Sequence, residues 1–320
     1  MTELQQVEHQ DPEHSKWVLV DWTLGTFCNF RCSYCPSELH DGSHAFPPPN
    51  SILEFARVLK QHYERLGRRV FLQFTGGEVS LYTDLLDILA DLNQSGIRCS
   101  VISNGSRGFD YWSKLSQLLD SVTLTHHIEF ANWDRFRAIA ALVSERIRTH
   151  VQITMLPTRF DECVERALGI RARCPRATIG LKPLRIGFGS ELFLYTATQL
   201  EVLRRPPVPP VLDPIPGGVR GLMRIQDGDT CEILSAGQIL ARGLNRWPGW
   251  SCRAGLELLA VNAEGEVYRG LCREGGSLGN IRDEVILPTE SIVCSRRSCN
   301  CLSDIMTTKS SKDHRISTTR

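Results

Sequence analysis

Cys28-Asn29-Phe30-Arg31-Cys32-Ser33-Tyr34-Cys35 is the stretch that decides how this chain is read. Its three cysteines are spaced C-x3-C-x2-C. That spacing folds three thiolates around one face of an iron–sulfur cluster and leaves a fourth iron without a protein ligand. An iron left open can bind a substrate or a cofactor. A site closed by four thiolates stabilises a fold or passes electrons.

Composition narrows the setting. The chain has 320 residues, enough for one large or two medium domains, and 42% of them are hydrophobic, as in a globular protein. Thirty-seven Lys and Arg balance 36 Asp and Glu. That near-neutral sum gives no electrostatic footprint for nucleic acid or an acidic membrane. No apolar run reaches the roughly 18 residues of a transmembrane helix, and Met1–Ser15 lacks a signal peptide's apolar core. The chain therefore reads as cytoplasmic. Twelve cysteines in such a chain point to metal or redox chemistry rather than disulfides.

Outward from the cysteines, strands and helices alternate. Residues 1–15 read as a tail. KWVLVDWTL (16–24) is the first strand, and Pro47-Pro48-Pro49 ends the cysteine loop. A helix starts at Asn50 or Ser51, with Glu54 completing a capping box. RVFLQF (69–74) is the second strand and runs into Thr75-Gly76-Gly77-Glu78, whose glycines allow close backbone approach. The third strand, 97–102, ends in Ser103-Asn104-Gly105, and the fourth, 121–125, in His126-His127. A fifth at 150–156 and a sixth at 177–184 complete the series. Six strands alternating with helices argue for a parallel sheet with right-handed crossovers. A closed eight-stranded barrel needs about 250 residues, so a partial (β/α)6 TIM-like barrel over 16–205 is expected. Polar groups at the C-terminal ends of such strands face the active site, which makes His126 and His127 candidate catalytic residues. The proline-rich 206–220 reads as a linker. A small cysteine-rich α+β domain over 221–305 follows, then a tail, 306–320.

The cysteine triplet, followed by Gly76-Gly77-Glu78, resembles the radical S-adenosylmethionine (radical SAM) superfamily. The resemblance implies a 4Fe–4S cluster on Cys28, Cys32 and Cys35, whose open iron chelates the amino and carboxylate groups of SAM. An electron from that cluster then cleaves SAM to a 5′-deoxyadenosyl radical, which abstracts hydrogen from a substrate. The resemblance places Tyr34 near the adenine, Gly76, Gly77 and Glu78 at the methionine amino group, and Ser103 and Asn104 at the carboxylate. It also implies an external electron donor of the flavodoxin or ferredoxin type.

Five further cysteines fall between 252 and 301. Cys252 and Cys272 bracket an expected hairpin, and Cys294, Cys299 and Cys301 follow. This region resembles the SPASM/twitch auxiliary-cluster domains of some radical SAM enzymes, in their twitch form. The resemblance implies one second 4Fe–4S cluster held by Cys252, Cys272 and two of Cys294, Cys299 and Cys301. Structural zinc is the competing occupant. Cys231 stands outside the motif, either as core or as a hydrogen-atom donor to a substrate radical.

Twenty-seven residues precede Cys28, too few for a leader-peptide-binding domain. The expected substrate is therefore a small polar metabolite (sugar, aminoglycoside or nucleotide-linked) undergoing oxidation, epimerisation or rearrangement. The alternative is a maturase acting on a ribosomal peptide. A non-catalytic iron–sulfur electron-transfer protein is the reading from another class. The basic tail Lys309–Arg320 is the one feature in favour of a nucleic-acid partner.

Overall fold

The computed structural model describes residues 4–189, 191–211, 213–227 and 230–311. In chain order these form β1 (Leu4–His9), β2 (Trp17–Thr23), α1 (Pro49–Arg65), β3 (Arg69–Thr75), α2 (Leu85–Gln94), β4 (Arg98–Ser103), α3 (Phe109–Leu115) and β5 (Ser121–His126). Then come α4 (Trp133–Ser144), β6 (Arg148–Met155), α5 (Phe160–Arg173), β7 (Thr178–Pro183), α6 (Ala197–Arg204), β8 (Met223–Asp227), β9 (Thr230–Leu234) and α7 (Ala236–Ala241). The rest are β10 (Ser251–Cys252), β11 (Leu258–Val261), β12 (Glu266–Tyr268), β13 (Ser277–Asn280), β14 (Ile292–Val293), α8 (Leu302–Ile305) and β15 (Lys309–Ser310). No helix among the described residues is long and apolar enough to cross a membrane.

The chain divides into two compact units. One gathers Met1–Trp22, Asn50–Leu72 and Gly218–Arg320; the other holds Thr23–Pro49 and Gln73–Gly217. In the second unit β4, β5, β6 and β7 lie side by side in chain order, and the pairs β4–β5, β5–β6 and β6–β7 are parallel. The fold is mixed α/β with a mostly parallel sheet that ends at β7 without closing into a barrel. Helices cover it because their apolar residues recur at helical spacing: Leu85, Ile88, Leu89 and Leu92 of α2, and Phe136, Ile139, Ala140 and Val143 of α4, are buried. Each such large side chain contributes about 1.5–3 kcal/mol on burial. The Asn132 side chain caps α4 by accepting the Arg135 N–H.

The first unit differs from the expectation in three ways. Residues 4–9, assigned to an N-terminal tail, form β1, and Lys309–Ser310, assigned to a C-terminal tail, form β15. Both belong to an antiparallel sheet ordered β14-β10-β15-β1-β8-β9. Residues 312–320 of the expected basic tail lie outside the described residues. The β11–β12 hairpin forms as its sequence suggests, with Ala260 opposite Tyr268, but β11 also pairs in parallel with β2. The C-terminal segment thus shares a unit with β1, β2 and most of α1. Helix α1 begins at Pro49 rather than at a Ser51 capping box. Proline at the first helical position gives up no hydrogen bond, because that N–H has no helical partner.

A buried carboxylate ties the first and last of the three segments of the first unit together. Glu257, with no exposed side-chain surface, accepts the Thr308 N–H at 2.8 Å and lies 3.2 Å from His9 Nε2 and 3.3 Å from Arg253 Nη1. Burial alone would push its pKa up. The His9 contact, the Thr308 N–H and the Arg253 charge outweigh burial and bring it down to about 2. Its contribution to stability is then complete above the unfolded carboxylate value of about 4.3 and is lost as pH falls toward 2. Replacing Glu257 with Ala is expected to cost about 3–5 kcal/mol in urea unfolding at pH 7 and to flatten the acid limb between pH 4 and 2. An unchanged acid limb would count against the network.

Candidate functional site

The cysteine loop runs from the end of β2 to the start of α1, and the end of β3 holds it. Gly77 N–H donates to Gly25 O at 2.9 Å, and Glu78 N–H to Phe27 O at 2.8 Å. Only glycine fits that approach. Gly76 sits at φ +154, and a Cβ on Gly77 would stand 2.4 Å from Phe27 O. The far side of the loop is pinned by Asp41. Its Oδ1 accepts from Ser43 N–H at 2.9 Å, Ser43 Oγ at 2.7 Å and Thr26 Oγ1 at 3.0 Å, and the Ser43 bonds lead in bringing its pKa down to about 2.

Cys32 is buried, and Cys28 and Cys35 are half-buried. Burial, reinforced by the Glu129 charge and then by the neighbouring thiolates, pushes Cys32 up to about 12, and burial followed by the Cys28 thiolate pushes Cys35 up to about 11. Burial also raises Cys28. Three thiols that resist ionisation together are what a metal centre converts to thiolates, because the metal charge inverts the local balance. Tyr34 lies beneath them. Its hydroxyl is 2.9 Å from His127 Nδ1 and 3.1 Å from Thr154 Oγ1, and its ring stacks on His127. Glu129 closes the loop by accepting from Ser33 N–H at 2.8 Å and Ser33 Oγ at 2.6 Å.

Glu78 is buried at the centre of the strand ends. Oε1 accepts from Ser103 Oγ at 2.6 Å and Ser80 N–H at 3.0 Å, and Oε2 accepts from Asn104 N–H at 2.6 Å. Asn104 Nδ2 in turn donates to Asn29 Oδ1 at 3.0 Å, inside the cysteine triplet. Gly76, Gly77, Glu78, Ser103 and Asn104 therefore converge with the cysteine loop, as their positions at strand ends imply. Asn29 and Thr154 were not anticipated. Asn29 is the polar residue within the triplet, and Thr154 is reached only through the pairing of β5 with β6.

His126 and Cys231 stand elsewhere. His126 is buried between β5 and α4, edge-on to Trp133 at 5.4 Å and Phe136 at 5.0 Å, and burial lowers it to about 4. It faces the helix layer while His127 faces Tyr34, because successive strand residues point to opposite faces. Burial likewise holds His127 down, at about 3. Cys231 is exposed on the edge strand β9, opposite Gln226. That position is neither core nor the water-excluded setting that quenching a radical requires.

In the first unit, Cys252, Cys272, Cys294 and Cys299 line one cavity, together with Asp304 and Lys309. Local backbone bonds aim them. Cys299 N–H donates to Asn245 O at 2.8 Å, Cys294 N–H to Trp250 O at 2.8 Å, and Leu271 N–H, beside Cys272, to Asp304 Oδ1 at 3.0 Å. Burial pushes Cys272 up to about 12. Cys301 is off this lining. Burial and the adjoining Asp304 carboxyl, to which it hydrogen-bonds, raise it to about 11. Among the described residues, no three His, Cys, Asp or Glu side chains gather as they would around a single metal ion.

Residues 22–169, which hold the cysteine loop and the strand ends around it, match the Radical SAM superfamily. A "Probable GTP 3′,8-cyclase" of Saccharolobus islandicus is 29% identical over 149 residues, 45% of this chain and 47% of that protein. A GTP 3′,8-cyclase of Staphylococcus haemolyticus is 39% identical over 70 residues, 21% of this chain and 20% of that protein. The chain thus spans at most about half the length of these curated relatives. Among solved structures, Streptococcus suis SuiB bound to precursor peptide SuiA superposes with a TM-score of 0.53 at 13% identity, over 85% of this chain and 64% of that one. The segment that matches the Radical SAM superfamily, residues 22–169, is the one in which three cysteines converge with Gly76, Gly77, Ser103 and Asn104.

Proposed function

We propose that the protein is a radical SAM enzyme with a second, cysteine-ligated iron–sulfur cluster. The observation that carries this reading is the loop of Cys28, Cys32 and Cys35 joined through Asn29 to the Glu78–Ser103–Asn104 network. When bound, the cluster and SAM supply a 5′-deoxyadenosyl radical that takes hydrogen from the substrate. The chain's own residues prepare the setting. Cys28, Cys32 and Cys35 hold the cluster. The backbone at Gly76-Gly77 and the side chains of Ser103 and Asn104 orient the methionine end of SAM, and Tyr34 bounds its adenine end. Glu78 acts as a positioning residue, because both of its oxygens are engaged by Ser103, Asn104 and Ser80.

The second cluster is assigned to Cys252, Cys272, Cys294 and Cys299, with Cys301 left out. The four cysteines line one cavity, and four thiolates complete the ligand shell of a cysteine-ligated cluster.

The substrate is assigned to small polar metabolites. Beside the cysteine loop, Arg31, Ser33, Glu129 and Arg159 line an open cavity with Phe130 and Leu156, a charged lining suited to a polar molecule. The names of the curated relatives, GTP 3′,8-cyclases, point the same way. The superposition on peptide-bound SuiB keeps a peptide substrate as the second reading. Reduction by a flavodoxin- or ferredoxin-type donor and a cytoplasmic setting complete the proposal.

Anaerobically reconstituted protein should hold about eight irons, two 4Fe–4S clusters, and should cleave SAM to 5′-deoxyadenosine under a low-potential reductant. Cys28→Ala should end cleavage and halve the iron; cleavage that persists would refute the site. Cys294→Ala should also halve the iron, whereas Cys301→Ala should leave it at about eight, and iron lost only with Cys301 would reverse the ligand assignment. Glu78→Gln should raise the SAM concentration for half-maximal cleavage by about tenfold or more, since a buried hydrogen bond to a charged group is worth about 1.5–3 kcal/mol. An unchanged half-maximal concentration would remove Glu78 from the SAM site.

A further inference from the structure

The cavity that gathers Cys252, Cys272, Cys294 and Cys299 also contains a buried cation. Strand β15 sets Lys309 directly opposite Cys252 of β10. The residue is 2% exposed. Its Nζ donates to Asp304 O at 2.7 Å, Thr307 O at 2.7 Å and Ile305 O at 3.3 Å, and lies 4.6 Å from the centroid of the Trp247 ring. Three carbonyls use the three N–H donors of an ammonium, so the group is locked in place without a carboxylate among those acceptors. The other cation on the lining, Arg296, is half exposed and paired with Glu274 at 3.3 Å. Lys309 is therefore the buried cation that these sulfurs meet, with the Asp304 carboxyl on the same lining as its counter-charge, inside the protein where charges act more strongly than in water.

Cluster potentials follow net charge, hydrogen bonding to sulfur and solvent exposure. Reduction adds one electron to a site already surrounded by four thiolates, with no bond made and no proton taken up. A fixed cation beside those thiolates favours the reduced state. We propose that Lys309 sets the reduction potential of the cluster held by Cys252, Cys272, Cys294 and Cys299, keeping it high enough to accept an electron that four thiolates alone would repel. This inference rests on the second-cluster assignment above and adds the residue that tunes it.

The test isolates that cluster. In a protein carrying Cys28→Ala, Cys32→Ala and Cys35→Ala, only the C-terminal site can hold iron, and its oxidation state is followed by electron paramagnetic resonance in a redox titration. Adding Lys309→Gln should raise the ratio of oxidised to reduced cluster at a fixed potential by at least tenfold, a shift of about 59 mV for one electron. Lys309→Arg should keep the ratio near that of the parent. An unchanged ratio in Lys309→Gln would overturn the proposal while leaving the cluster assignment intact. A parent with no iron would overturn the assignment and the proposal together. If Lys309→Gln does not fold, the parent labelled with 15N at lysine Nζ replaces it. A dipolar coupling of the reduced cluster to one lysine nitrogen would support the proposal, and its absence would overturn it.

Discussion

The hydrogen bonds from Gly77 to Gly25 and from Glu78 to Phe27 are the constraint on which the candidate site depends. They bind a long, irregular loop to the end of a strand, and a loop of this length needs such fastening to present three cysteines in fixed relation. Side chains are excluded at Gly76 and Gly77 because the two backbones nearly touch there. Once they are joined, Glu78 is buried and its oxygens draw in Ser103 and Asn104, and Asn104 returns to the loop through Asn29. The glycine pair thus serves the cluster loop first, and whatever it contributes to a ligand follows from that.

Much of this was legible in the sequence because it is local. The C-x3-C-x2-C spacing, the glycines after the second strand and the 3.6-residue recurrence in α2 and α4 need only neighbouring residues to be read. What escaped was long-range or a matter of parity. Nothing near Leu4–His9 announces that it will pair with Lys309–Ser310 and Met223–Asp227, and without that pairing it reads as a polar tail. Nothing near Leu258 announces Leu19 as its partner. His126 and His127 are adjacent and chemically identical, and only the register of β5 sends one toward α4 and the other toward Tyr34. Cys294, Cys299 and Cys301 were indistinguishable by spacing; in the structure Cys294 and Cys299 line the cavity shared with Cys252 and Cys272, and Cys301 does not.

The two cysteine groups are built differently. The N-terminal three sit on a loop held by backbone contacts and open toward polar residues. The C-terminal four come from short strands and turns and share their cavity with a buried lysine and Asp304.

The first unit is assembled from three separate pieces of chain, and β1 finds both of its partners in the last of them. On the ribosome, the loop bearing Cys28, Cys32 and Cys35 and the strands that fasten it emerge while β1 still waits for Met223 and Lys309. Contacts of such wide sequence separation form late and slowly. The cysteine loop and the strand ends that fasten it can therefore form before the C-terminal cavity has walls, so the direction of protein synthesis sets an order between the two sites.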